Sequence, residues 1–209
     1  QFPFLRDWYY VTRQVLELSW AVHPSGEDEH ALVLASGPAD PIETCALLFA
    51  HAIDSAEDRV WIATPYFVPD GQLLGSLQLA ALRGVDVRIL IPSIADHWMF
   101  RYVHDAFVRE VQSVGVKIYR YQPGFMHQKV FLVDDDYASV GSANFDNRSF
   151  RLNFEVTCLL EGSEFCQSVA DMLERDFERS IVMEAADLEG QSFRRRLAIE
   201  FTRLLAPTL

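Results

Sequence analysis

The sequence predicts an α/β domain, with a mixed, largely parallel sheet and helices on both of its faces. Three observations carry this. Short runs rich in β-branched residues (VWIA, VDVRILIP, VKIYRY) alternate with stretches of helical period, the succession expected of a βαβαβ unit. Pro41, Gly84 and Gly115 stand where one period gives way to the other, at positions that open or stop helices. Finally, the chain has 209 residues and half of them are hydrophobic, enough for one large domain with a real core.

The elements follow in order. Residues 1–24 mix aromatics with a helical stripe of Trp8, Val11, Val15 and Leu18, which would lie exposed unless it packs on something. Ser25–His30 (SGEDEH) is polar and acidic, and forms the best boundary, leaving residues 25–209 as the main domain. HALVLAS is strand-like. Pro41 then opens a helix through Glu57, with Ile42, Cys45, Phe49 and Ile53 on one face. VWIA is a short buried strand, and TPYFVPD (Thr64–Asp70) is a loop fixed by two prolines. Leu73–Arg83 is helical, Gly84 ends it, and VDVRILIP is the next strand. A helix over Asp96–Val114 stops near Gly115, before VKIYRY. EVTCLLE adds a strand beyond the hairpin described next, and helices over Glu164–Arg179 and about Gln191–Leu205 close the chain.

The chemistry concentrates in His127–Glu155, HQKVFLVDDDYASVGSANFDNRSFRLNFE. HQKVFLVD and YASVGSA read as two strands around an Asp135-Asp136 turn. Side chains two apart on a strand share a face, so His127 projects with Lys129, and Ser142 with Asn144. The small residues Gly141 and Ala143 allow a ligand to approach the backbone. An imidazole, an ammonium, a hydroxyl and an amide on one face suit a tetrahedral oxyanion: Lys129 supplies charge, Ser142 and Asn144 supply directed donors. The set holds no obvious metal cluster, which leaves the imidazole free as nucleophile or proton donor. Asp134 has the opposite parity from His127, and its predicted role is structural, buried and paired or capping the turn.

Bulk charge narrows the partners. Lys and Arg number 18 against 30 Asp and Glu, a net charge of −12. This disfavours non-specific nucleic-acid binding, whose affinity comes mostly from phosphate neutralisation. It also opposes an anionic membrane unless basic residues cluster locally. Cys45, Cys158 and Cys166 are too few and scattered for a disulfide framework or zinc site, and read as reduced core cysteines. No targeting segment is visible, and no apolar run approaches the roughly 18 residues of a membrane span.

The spacing His127-x-Lys129-x4-Asp134-x6-Gly141-Ser142-x-Asn144 resembles the HKD motif of the phospholipase D superfamily without departure. FDNRSF with NFE, TPYFVPD and ALRGVDVRILIP (Ala81–Pro92) are similar to the bacterial cardiolipin synthase branch, and the resemblance runs to RLLAPTL at the end. It implies a phospholipase D-like fold and phosphatidyl transfer between phospholipids, with no cofactor or metal. Two histidines from two motifs would act, one forming a phosphohistidine and the other protonating the leaving group. The first motif's histidine is usually taken as the nucleophile, which would make His127 the general acid/base. The resemblance also implies that Glu155 orients the His127 imidazole. Family members carry N-terminal membrane segments and two HKD motifs, but none of His23, His30, His51, His97 or His104 is followed by a lysine two residues on. The expectation is a C-terminal half: residues 1–24 are a helical remnant after a missing first half, and the partner half-site comes from that half or from a second copy as a homodimer. The whole protein would sit on the cytoplasmic side of a membrane, this piece alone being soluble. The alternatives are a hydrolase of the same superfamily, phospholipase D or nuclease, and a non-enzymatic half that binds a headgroup or scaffolds a partner.

Four further positions have two readings each. Tyr66 and Phe67 follow a strand's C-terminal end, where open α/β sheets bind ligands, but they also suit the core. Arg148 and Arg151 would neutralise a second phosphate or pair with Asp146 and Glu155. In addition, Arg194–Arg196 beside Phe193, Leu197 and Phe201 forms either a lipid-facing basic amphipathic surface or a solvated helix face. The other five histidines are structural or surface residues.

Overall fold

Two parallel steps form the centre of the sheet, and hairpins build outward from them. The computed structural model describes residues 2–19, 30–94, 98–184, 199 and 201–204. In chain order these form α1 (Phe2–Thr12), β1 (His30–Ser36), α2 (Thr44–Ser55), β2 (Arg59–Ala63), β3 (Phe67–Val68), α3 (Gly71–Leu82), β4 (Asp86–Pro92), α4 (Trp98–Gln112) and β5 (Lys117–Tyr121). There follow β6 (Val130–Val133), β7 (Tyr137–Gly141), β8 (Phe145–Asp146), α5 (Asn147–Arg151), β9 (Glu155–Glu161), α6 (Ser163–Glu178) and β10 (Ser180–Val182). Residues 199 and 201–204 are helical; Arg194–Arg196, Phe193 and Leu197 lie outside the described residues.

The main sheet has the order β1-β9-β7-β6-β2-β4-β5-β10. Only β2/β4 and β4/β5 pair in parallel; the other pairs are antiparallel, which corrects the expectation of a largely parallel sheet. Parallel pairing needs a crossover of a dozen or more residues, and here α3 and α4 supply it. After β5 the chain turns tightly, from β6 into β7, and tight turns join antiparallel strands. A second, two-stranded sheet pairs β3 with β8 in parallel.

Alternation along the strands divides the interior into two layers. Val60, Ile62, Val87, Ile89, Ile118, Phe131 and Val133 pack against α2, α3 and α4. Trp61, Ala63, Leu90, Val130, Leu132 and Ala138 meet α6 through Val169, Ala170, Leu173 and Phe177. Helices on both faces are therefore present as expected. Aromatic pairs tighten each layer: Phe49 stacks on Phe131 at 4.9 Å, and Trp61 meets Phe177 edge-on at 5.4 Å.

Three helix boundaries differ from the apolar pattern, and a side-chain cap sets one of them. α3 begins at Gly71 because the Asp70 carboxylate accepts from Leu73 N–H at 2.8 Å. α2 begins at Thr44 rather than Pro41, so Ile42 stands outside it and exposed, while Cys45, Phe49 and Ile53 are buried as expected. α1 stops at Thr12, whose hydroxyl bonds back to Trp8 O at 2.8 Å, and Arg13 takes φ 59°. Val15 and Leu18 thus fall outside the expected helical stripe. Phe2, Tyr10 and Val11 are exposed, and no residue of α1 is buried. Among the described residues no helix is long and apolar enough to cross a membrane. All three cysteines are free, Cys45 and Cys166 being buried.

The β6–β7 hairpin is tied to the sheet's centre by Asp134. At φ 50° its carboxylate accepts from the backbone N–H groups of Glu57, Asp58 and Arg59 at 2.8–2.9 Å. It therefore caps the start of β2 rather than its own turn. Replacing Asp134 by Ala leaves three donors unmet beside a left-handed backbone, and should cost about 3 kcal/mol in urea unfolding. Asp134→Asn, which tolerates that backbone and keeps one acceptor, should lose less than half as much. A loss under about 1 kcal/mol in the alanine variant would contradict this role.

Candidate active site

Regular strand ends just short of each residue in the cluster. β6 starts at Val130 and β7 stops at Gly141, so His127, Lys129, Ser142 and Asn144 sit immediately beyond the strands on which the sequence placed them. Pairing nonetheless continues past those ends. Gly141 N–H reaches Lys129 O at 3.3 Å, and Ser142 N–H reaches Val156 O at 2.9 Å. At Gly141 β7 leaves no room for a side chain against β9: a Cβ there would lie 2.5 Å from Val156 O and 2.8 Å from Thr157 Cα.

His127 and Lys129 project together. The Lys129 Nζ lies 3.0 Å from His127 Nδ1 and 3.2 Å from Nε2, and donates to His127 O at 3.0 Å. The imidazole is exposed and the ammonium half-buried. Lys129 lines a small pocket on the α2 side of the sheet, with Phe49, Thr64, Phe131, Gly141 and Ala143. Burial pulls its pKa below the usual lysine value, partly offset by the negative charges of Glu155 and Asp146. The exposed Phe125 ring lies tilted beside the imidazole, its centroid 5.5 Å away.

Ser142 and Glu155 form a second group. The Ser142 hydroxyl donates to Glu155 Oε2 and accepts from Val156 N–H at 2.9 Å. Asn153 Nδ2 donates to Glu155 Oε1 at 3.1 Å. Both oxygens of this buried carboxylate are thus engaged, and it does not bond the His127 imidazole as the resemblance implied. Ser142 continues the pairing of β7 with β9 through its N–H on Val156 O, which sets its hydroxyl beside Glu155 at the start of β9.

Asn144 opens the short segment into β8 and α5. Its backbone N–H and its Nδ2 donate to Ser149 Oγ at 3.0 and 3.2 Å. Asp146 caps α5 through Ser149 N–H at 2.7 Å; burial pushes the Asp146 carboxyl up, against the opposing hydrogen bonds from Ser149. Thr64, at the end of β2, accepts from Phe145 N–H at 3.1 Å and donates to Tyr66 O at 2.9 Å, fixing β8 beside the central strand.

Other expectations change. Phe67 is fully buried, stacked 5.9 Å from Phe145, with its N–H on His104 Nε2 at 3.2 Å, so it belongs to the core and not to a substrate pocket. Its place in β3, paired with β8, removes it from the surface. Tyr66 is half-buried. Arg151 pairs with Glu43 at 2.9 Å and Asp70 at 3.5 Å, not with Asp146 or Glu155. Arg148 is exposed, close enough to Asp146 to favour its charged form. The sequence reading missed Ser149, Asn153 and Thr64. The Asp146-x-x-Ser149 spacing was a visible signal, since it is that of a helix N-cap. Among the described residues no group of three or more His, Cys, Asp or Glu side chains is placed to hold a metal ion.

Fold and geometry together define a class. Nuc from Salmonella typhimurium, a phospholipase D family member, matches with TM-score 0.64 at 21% identity, over 75% of this chain and 99% of that one. Phosphatidylserine synthase from Haemophilus influenzae matches with TM-score 0.71 at 17% identity, over 86% and 47%. At these identities the likeness is one of fold, and the fold is phospholipase D-like. Residues 49–178 match the family described as the phospholipase D-like domain of cardiolipin synthase, and the chain belongs to that family. Cardiolipin synthase A of Pseudomonas putida is 48% identical over the whole chain and 44% of its own length; that of Pseudomonas aeruginosa is 47% identical over the whole chain and 43% of its own. The chain therefore spans less than half the length of these curated relatives.

Proposed function

We propose that this chain supplies one half-site of a phosphatidyltransferase that joins phospholipids through a phosphohistidine. The observation that carries this reading is the pairing of the His127 imidazole with the Lys129 ammonium at 3.0 Å, at an exposed site. A phosphodiester resists attack because its charge repels nucleophiles and its alkoxide leaves poorly. Exchange needs fixed positive charge on the non-bridging oxygens, a nucleophile, and a proton for the departing oxygen. Lys129 provides the charge and Asn144 a directed donor; the single proton of the Ser142 hydroxyl is already given to Glu155, so that residue does not serve as the phosphate donor the sequence predicts. Asp134 supports the motif from outside the site, and Arg148 is left exposed for a second phosphate.

One imidazole performs one of the two proton and bond-making roles, so a second HKD half completes the site. It comes from elsewhere in the same polypeptide, residues 1–24 being the remnant that follows it, or from a second copy. In the first step a histidine ring nitrogen forms the P–N bond, the P–O bond to glycerol breaks, and the other histidine, assigned here as His127, protonates that oxygen. In the second, His127 takes the proton from the hydroxyl of an acceptor phospholipid, whose oxygen forms the new P–O bond as the P–N bond breaks. From two molecules of phosphatidylglycerol the products are cardiolipin and glycerol. The 48% identity to cardiolipin synthase A across the whole chain supports this substrate class. The complete protein works at a membrane surface, on its cytoplasmic side; with a net charge of −12, nucleic acid is disfavoured as substrate.

A phospholipase D-type hydrolase is the second reading, favoured by the exposure of His127 to water. Full-length protein incubated with phosphatidylglycerol vesicles separates the two. Transfer yields cardiolipin with equimolar glycerol. Phosphatidic acid without cardiolipin would overturn the transferase assignment.

A further inference from the structure

We propose that Ser149, held by Asp146, is the positioning residue that aims the Asn144 amide at the phosphate. The inference rests on the half-site reading above and deepens it. Asn144 can act on a phosphate oxygen only if its Nδ2 is held in one orientation, and the fold leaves that task to a single partner. Among the described residues, the Asn144 side chain makes one hydrogen bond, from Nδ2 to Ser149 Oγ at 3.2 Å, and its buried Oδ1 has no partner. Ser149 Oγ also accepts the Asn144 backbone N–H at 3.0 Å, so one oxygen sets both the main chain and the amide.

Ser149 itself is fixed from behind. It is fully buried, and its N–H donates to Asp146 Oδ1 at 2.7 Å. The hydroxyl oxygen turns its two lone pairs to the Asn144 N–H and Nδ2, which leaves its own proton free to face Asp146. One Nδ2 proton is thereby occupied and the other remains for a phosphate oxygen. Neither Ser149 nor Asp146 needs to touch substrate. Their effect runs through Asn144, and small errors in such placement are costly, since a shift of about 1 Å can lower a rate by about 10²-fold.

The test is a double-mutant cycle in the full-length protein, using phosphatidylglycerol vesicles and conditions where circular dichroism shows each variant folded. Ser149→Ala should lower kcat by about 10- to 100-fold with KM changed by less than about 3-fold. Ser149→Cys, similar in shape but a weak acceptor, should behave alike and serves if the alanine variant is unstable. In an Asn144→Ala background the same change should lower kcat by less than about 2-fold, because the group it aims is gone. Wild-type kcat in the Ser149 variants would overturn the proposal, as would losses that multiply between the two sites. If Asn144→Ala alone kept full turnover, the phosphate-binding reading would fail and take this proposal with it; a loss at Asn144 without one at Ser149 would sink the relay alone.

Discussion

Replacing His127 by Ala in the full-length protein should lower phosphatidyl transfer by at least about 10³-fold, in the upper part of the range for a proton-transfer catalyst. The reason lies in the placement of the ring. The exposed imidazole stands beside the Phe125 ring at 5.5 Å and the Lys129 ammonium at 3.0 Å, and its side chain bonds no other described residue. The carboxylates of Glu155 and Asp146 are engaged by Ser142, Asn153 and Ser149, and the Lys129 ammonium would be held to neutralising the phosphate. The same exposure makes the change mild for the fold, and unfolding free energy should stay within about 0.5 kcal/mol of the parent. Thin-layer separation of lipid products and urea titration give the two numbers. Undiminished cardiolipin formation would remove His127 from the mechanism, whereas a large stability loss would mean that the imidazole holds structure.

Sequence spacing conveyed the side-by-side placement of His127 and Lys129, although both precede β6, because two-residue alternation is a local rule of extended chain. It conveyed the two-layer core for the same reason: Phe131 and Val133 alternate with Val130 and Leu132. Strand direction was less legible, since parallel and antiparallel partners draw on the same apolar runs and only the connections tell them apart. The two- and three-residue strands β3, β8 and β10 and the five-residue helix α5 escaped altogether, being too short for their periods to register. The fate of Glu155 was illegible for a different reason. Its partners Ser142 and Asn153 lie just beyond the ends of β7 and β9, where a rule of alternation along strands gives no direction. Phe67 shows the converse, a residue placed at a strand end by pattern yet sealed in the core by pairing with β8.

Replacing Lys129 by Met should lower kcat by about 10²- to 10³-fold, the range for losing one preorganised donor to a developing oxyanion. Methionine keeps most of the apolar stem beside Phe131 while removing the charge. The ammonium's protonation is itself delicate. Burial lowers its pKa and the negative charges of Glu155 and Asp146 only partly restore it, so in the free enzyme the charge is lost at a lower pH than for an ordinary lysine. Since the charged form is the active one, kcat/KM should fall as pH rises through that lowered value, and remain level below it until other groups titrate. Lys129→Arg provides the check. Guanidinium stays charged throughout, so this variant, though weakened by its different shape, should lose the alkaline decline. A limb that persists unshifted in Lys129→Arg would assign it to another group, and a Met variant within about 3-fold of the parent would mean that the phosphate is neutralised elsewhere.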